Sequence, residues 1–378
     1  MTPHAEGLVG SHRATLRPRA TVSHRHTDNT ELDERKNVDD RRASKRFNAA
    51  LWPSPGRERH DRRVPLFHEA TDPSTPPMTP LEDILDDDGL LLAVCEQRCK
   101  SMNGASARRL AVALEDLARG RIDQFDEAWI RESVDQAEGR RRFWANLVEA
   151  IERDDVTVVP CWSPDYPTNL SMIHDRPPVL FVRGAILEDD RRAVAVVGTR
   201  TATRRGIQMA GDLSGELAAR GVTVVSGLAK GIDTAAHAAA VNASGRTIAV
   251  YGTPIDRVYP AANRGLARTI TRHGACVSQF LPTTATGPWS FPVRNVTTSG
   301  LAVGTIVVEA GETSGAKLQA EAAIAHGKRV FLVDELVTAQ PWARAMATTE
   351  PTVTVAANVE EIIAGIDAEL GVGDLVLL

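Results

Sequence analysis

The chain has 378 residues, too many for one ordinary domain of about 100–200 residues. Its 43% hydrophobic and 25% charged residues are the balance of a globular protein in water. Aromatic residues at 4% argue against a recognition surface built mainly on stacked rings, and a formal charge of −5 excludes a uniformly basic coat while leaving a local cationic patch open.

Residues 1–77 hold 14 Lys+Arg against 11 Asp+Glu and six of the ten histidines, with few long aliphatics and no apolar period. Such a segment buries too little surface to offset chain entropy, so it is expected to be disordered. The preferred alternative is that translation starts at Met78, where Met78-Thr-Pro-Leu-Glu-Asp-Ile-Leu opens the first stretch with the texture of folded protein. The first thirty residues lack an apolar segment and no membrane-spanning run follows, so a cytoplasmic protein without a membrane partner is expected. Cys95, Cys99, Cys161 and Cys276 are scattered, which fits buried thiols better than a disulfide framework or a metal site.

Residues 78–150 read as a small helical domain, with Leu90, Leu91, Val94, Leu110, Ala113, Leu114 and Leu117 at three-and-four spacing. Short β-type runs at Val156–Val159 and Val179–Val182 look like a bridge into the main domain, 155–335. There, Val194–Val197, Val222–Val225, Thr247–Val250, Cys276–Gln279, Thr305–Val308 and Arg329–Val333 are Val/Ile-rich strands. Helices are expected near 204–219, 232–243, 263–272 and 315–326, with a loop before Thr305. Buried strands alternating with helices predict a doubly wound α/β fold on a parallel sheet. Residues 336–378 form a short extension containing Trp342 and a helix-like stretch, Val359–Leu370.

In such folds ligands gather beyond the carboxyl ends of the strands. Three turns there share one chemistry: Gly198-Thr199-Arg200; Ser226-Gly227 through Lys230-Gly231; and Gly311 to Ser314-Gly315, with Lys317 in the next helical turn. Glycines admit close approach, while free amides at helix N-termini and hydroxyls bind anions. Arg200, Lys230 and Lys317 add charge. Any one such turn more often serves capping alone; three on one sheet edge point to a phosphate-bearing ligand. A Gly-x-Gly-x-x-Gly turn, an acidic ribose anchor and a P-loop are all missing, so no cofactor is expected. Asp233 is placed to interact with its helix's first amides. His237, among small residues, reads as structural, and Glu309 is placed to orient Arg200 or Arg294. No catalytic or metal constellation assembles, which favours binding over catalysis.

The motifs Val196-Val-Gly-Thr-Arg200, Val225-Ser-Gly-Leu-Ala-Lys-Gly-Ile-Asp-Thr-Ala-Ala-His237, Gly245–Val250, Val258-Tyr-Pro260, Phe291-Pro-Val-Arg-Asn295, Val308-Glu-Ala310 and Ser314-Gly315 occur in that order, after Asp165-Tyr-Pro167 and Pro177–Gly184. The set resembles the DNA-processing protein A family (DprA, also called Smf). The resemblance covers roughly residues 155–335 and implies a Rossmann-like core that binds single-stranded DNA, protects incoming strands and assists RecA loading in natural transformation. It implies a homodimer as well. It further implies that Gly198, Thr199, Arg200, Ser226, Gly227, Lys230, Gly231, Arg294, Asn295, Ser314 and Gly315 line a phosphate-holding pocket. Where the family continues Arg-Asn-Arg this chain has Val296, and Asp334-Glu335 stands where Pro-Gly is usual. Both changes lower positive charge at that edge. A nucleotide-sensing or nucleotide-hydrolysing relative of the same superfamily is the competing reading, although a Pro-Gly-Gly-x-Gly-Thr-x-x-Glu motif is absent.

Overall fold

A computed structural model of the chain describes residues 81–99 and 102–376, with side chains to residue 371. The expectations for residues 1–77 and for Met78 lie outside the described residues. Helices come first: Asp83–Asp86 (α1), Asp88–Arg98 (α2), Ala105–Ala118 (α3) and the 29-residue Gln124–Glu152 (α4). Asp87 starts α2 by accepting from the Leu90 amide at 2.7 Å, and its other oxygen accepts from Arg141 of α4 at 2.6 Å. One carboxylate thus caps one helix and ties down another. Gly89 lets the two backbones meet, since a side chain there would press on Ala145. Every residue from Gly89 to Cys95 is buried.

The helices are followed by Val156–Pro160 (β1), Thr168–Ser171 (α5), Val179–Gly184 (β2), Ala193–Val197 (β3), Arg204–Ala219 (α6), Thr223–Ser226 (β4), Ile232–Asn242 (α7) and Thr247–Val250 (β5). Next come Arg264–His273 (α8), Gly274–Ser278 (β6), Ser290–Leu301 (α9), Gly304–Val307 (β7), Gly315–Ala325 (α10) and Arg329–Val333 (β8). Asp334–Ala339 (α11), Pro341–Thr349 (α12), Val353–Ala356 (β9) and Val359–Val376 (α13) close the chain. One nine-stranded sheet has the order β1-β2-β6-β5-β4-β3-β7-β8-β9. From β6 to β9 all neighbours are parallel, while β1–β2 and β2–β6 are antiparallel. The architecture is doubly wound α/β, as expected. Its core strands are buried at every position of β3, β4, β5 and β7, because helices cover both faces.

Two strands expected to bridge domains are instead full members of the sheet. Val156, Val158, Val179 and Phe181 share one core with Leu90, Leu114, Ile130 and Trp144 of the helical layer and with Ala249 and Cys276. The sheet also continues past residue 335 through β9. The expected loop before Thr305 contains helix α9. Val293 to Leu301 are all buried, so no amphipathic period marks this helix, and Pro292 sits in its first turn where its missing N–H costs nothing. Among the described residues no helix is long and apolar enough to cross a membrane, and no group of three or more His, Cys, Asp or Glu could hold a metal ion. All four cysteines are buried with free thiols.

Candidate functional site

A cleft of about 910 Å³ opens beyond the carboxyl ends of the central strands, lined by the turns after β3, β4 and β7 and by one side of α9. The volume suits a small-molecule or nucleotide-sized group. It lies where the sheet order reverses: the chain goes from β3 to β4 on one side, whereas β7, on the other side of β3, leads outward to β8. Right-handed crossovers in opposite directions send α6 and α10 to opposite faces and leave a crevice between the turns that start them.

The first turn is fixed by Glu309, which follows β7. Its carbonyl accepts from the Thr199 amide at 2.6 Å, and its carboxylate accepts from the Thr203 amide and hydroxyl, each at 3.0 Å. Thr203 in turn caps α6 by accepting from the Gly206 amide at 3.0 Å. A Cβ at Gly206 would occupy the present place of the Glu309 carboxylate and displace it. Glu309 was expected to orient Arg200 or Arg294. It instead joins two turns and places a negative charge at a helix N-terminus, where the peptide dipoles favour it.

In the second turn the Ser226 hydroxyl donates to Val196 O at 2.6 Å, and Ser226 also helps draw down the Asp233 carboxyl beside it. Asp233 accepts from the Gly227 and Ala229 amides, both at 3.2 Å. Burial pushes the Asp233 carboxyl above the usual range, while Arg294 and those amides pull it down. The Arg294 guanidinium lies over Gly227, in space that any side chain at that position would fill. Arg294 is only 7% exposed, donates from Nη1 to Val250 O at 2.7 Å, and has no partner for Nε. Burial lowers its pKa, nearby Asp233 opposes that shift, and Arg200 adds to it. A buried cation with so few acceptors is held at a cost that an incoming anion or carbonyl would relieve.

Arg200 stands at the mouth with its guanidinium 4.8 Å from the centre of the Phe291 ring, a cation–π arrangement. Tyr259, 55% exposed, packs 5.4 Å from the same ring. Across the opening, Ser314 caps α10 by accepting from the Ala316 amide at 3.2 Å, and Asn295 donates to Gly315 O at 3.4 Å. The scarcity of aromatics in the whole chain conceals this local pairing of Phe291 and Tyr259.

The structure therefore brings Gly198, Thr199, Arg200, Gly227, Asp233, Arg294, Asn295, Ser314 and Gly315 to one cleft. Ser226, Lys230, Gly231, His237, Glu309 and Lys317 fall outside its lining. Gly231 (φ 78°) lies close to the Thr199 carbonyl, and exposed Lys230 is not part of the lining. Lys317 pairs with Glu312 at 2.6 Å. Exposed Arg205, at the start of α6, is bound by Glu335, one of the two carboxylates in place of Pro-Gly. His237 hydrogen-bonds through Nδ1 to Thr247 at 2.7 Å, and burial pushes its imidazole down to about 3. Sequence reasoning missed Gln319, a buried member of the lining. Its position, one helical turn beyond Gly315, was the available signal.

The chain is 36% identical over 215 residues to the DNA processing protein DprA of Bacillus subtilis, a match spanning 56% of this chain and 70% of the relative. It is 40% identical over 172 residues to DprA of Streptococcus pneumoniae, spanning 44% of this chain and 59% of that protein, short of two thirds of its length. The X-ray structure of S. pneumoniae DprA superposes with a TM-score of 0.57 at 26% identity, covering 72% of this chain and 96% of the other. The family model described as DNA recombination-mediator protein A matches residues 157–367, and the chain belongs to that family.

Proposed function

We propose that the cleft binds single-stranded DNA and that the protein is a non-catalytic accessory of DNA processing and recombination. The observation that carries this reading is Arg294: buried, with a bare Nε, beside Arg200 and facing the start of α10. Phosphates passing Arg200 and the α10 amides would supply affinity without regard to sequence, and that affinity would weaken steeply with salt. The family's description as recombination mediator and the relatives' names support the same reading. Assistance to a RecA recombinase in the cytoplasm, protection of incoming strands and a homodimeric state follow from it as further proposals.

Catalysis finds little support in the geometry. Asp175, His326 and Ser299 are hydrogen-bonded in series at 2.9 Å, yet the His326 side chain is fully buried and none of the three lines the cleft. Fluorescence anisotropy with a labelled oligonucleotide tests the proposal. Binding should be saturable, fall with added salt and weaken roughly tenfold in Arg200→Ala, with a salt slope shallower by about 0.7. Thermal stabilisation by mononucleotides with no oligonucleotide binding would replace this reading with nucleotide sensing.

A further inference from the structure

Charge is divided sharply along the second half of the chain. From Arg257 to Val308 the sequence has five arginines and no Asp or Glu, whereas from Glu309 to Leu378 it has 11 Asp+Glu against 4 Lys+Arg. Sheet order carries that division to the two sides of the cleft: β5, β6 and the helix α8 between them lie on one side of β3, and β8 and β9 lie on the other. On the acidic side Lys317 is held by Glu312 and Arg205 by Glu335, and a crevice beside Arg205 is lined by Asp212, Glu216 and Asp334. A polyanion leaving the cleft in that direction would meet carboxylates.

The basic side presents a ladder of cations on α8. Arg264, Arg268 and Arg272 recur every four residues and are exposed, while Ala267 and Ile270 between them are buried in the core. Helical rise sets successive members about 6 Å apart along the axis, close to one nucleotide step of an unstacked strand. Arg272 donates within the helix, to Arg268 O at 3.1 Å and Thr269 Oγ1 at 3.3 Å, and among the described residues no carboxylate pairs with any of the three. The ladder begins at the cleft. Tyr259 of the lining precedes the turn Ala261–Asn263 that leads into α8. Asn263 donates to Leu228 O at 2.8 Å and to Thr234 Oγ1 at 2.9 Å, which fixes the head of α8 beside the turn that bears exposed Lys230.

We infer that a single strand held in the cleft leaves it over α8, with successive phosphates on Arg264, Arg268 and Arg272, and does not run over the acidic side. This inference rests on the DNA-binding reading and adds to it a stretch of backbone contacts outside the cleft, which lengthens the site in one direction only. Each guanidinium–phosphate pair on that stretch adds affinity without regard to sequence and steepens the dependence on salt.

The test compares labelled single strands of about four and about sixteen nucleotides, which bracket the site sizes of single-strand-binding domains. The double variant Arg268→Gln/Arg272→Gln should bind the long strand about five- to tenfold more weakly, with a salt slope shallower by about 1.4, and bind the short strand as the wild type does. Arg119→Gln/Arg142→Gln removes the same charge from exposed positions of the helical layer and should change neither. All these side chains are exposed, so the thermal midpoints of both variants should match the wild type. An undiminished affinity of the α8 variant for the long strand would overturn the inference while leaving DNA binding intact. An equal loss on both lengths would do the same by assigning the arginines to the cleft, and an equal loss in Arg119→Gln/Arg142→Gln would assign the effect to net charge. Failure of the wild type to bind either strand would remove the DNA-binding reading itself.

Discussion

Two enclosed cations sit near opposite ends of helix α9, and the protein treats them in opposite ways. At the cleft, Arg294 has one hydrogen bond, to Val250 O, and a bare Nε. At the other end, the Lys328 ammonium donates to the carbonyls of Asn169, Ser299, Gly300 and Ala302 at 3.3, 3.0, 2.7 and 2.6 Å. Burial alone would push Lys328 down to about 7. Four carbonyl oxygens around Nζ suit an ammonium, whose three N–H groups can share them, better than a neutral amine, whose lone pair would face an oxygen. Lys328 closes the C-terminal end of α9, assisted by His326, which bridges Ser299 and Asp175. The contrast separates two uses of buried charge. Saturated with acceptors, a cation holds structure; left short of them beside a cavity, it waits for a ligand.

The largest test of that contrast is Lys328→Met. The four carbonyls lose the ammonium, Ser299 O keeping the Ala302 amide at 3.2 Å, and we expect a loss of at least about 3 kcal/mol in urea unfolding. Arg294→Met should do the reverse. Stability should stay within about 1 kcal/mol of wild type, while single-stranded DNA affinity falls about thirtyfold or more in anisotropy, as for a buried hot-spot arginine. Gly227→Ala should reproduce that loss with Arg294 still present, since the new Cβ would take the guanidinium's place.

His237 provides a third, intermediate effect. Its folded value lies near 3, below the ordinary 6.5, because burial disfavours the charged ring. Between those values the unfolded chain takes up the proton and the folded chain does not. Stability is therefore full above about pH 6.5 and falls with pH, by about 2 kcal/mol at pH 5. His237→Gln should flatten that part of the pH–stability profile. The smallest effect belongs to Glu335→Gln. It frees the exposed Arg205 at the start of α6, so DNA affinity at low salt should rise two- to threefold, about the gain from one unmasked cation, with no measurable change in thermal midpoint.

The strands β3 to β8 were legible because runs such as Ala193–Val197 and Arg329–Val333 are continuous apolar segments set between glycine turns. Helix α9 was not, because a helix buried on nearly every side shows no stripe, and Thr297, Thr298, Ser299 and Gly300 carry weak helix propensity. The tail concealed β9, whose four residues become a strand by pairing with β8. At the candidate cleft, glycines and hydroxyls in the turns marked the sheet edge where it opens, and Arg200 and Arg294 both line it. Lys230 and Lys317 do not, because a turn can aim a long side chain either into a cleft or away from it. Lys317 found a nearer partner in Glu312. Glu309 was misread for a related reason: periodicity places a residue at a strand end but does not choose among the groups within its reach.

The double attachment of Glu309 has a kinetic consequence. Its carbonyl holds Thr199 and its carboxylate holds Thr203, so the turns after β3 and β7 are joined before any ligand arrives. Little loop ordering remains for an incoming strand to bring about. Association should then be set by electrostatic encounter and respond strongly to ionic strength, leaving differences among ligands to appear in how long each stays bound.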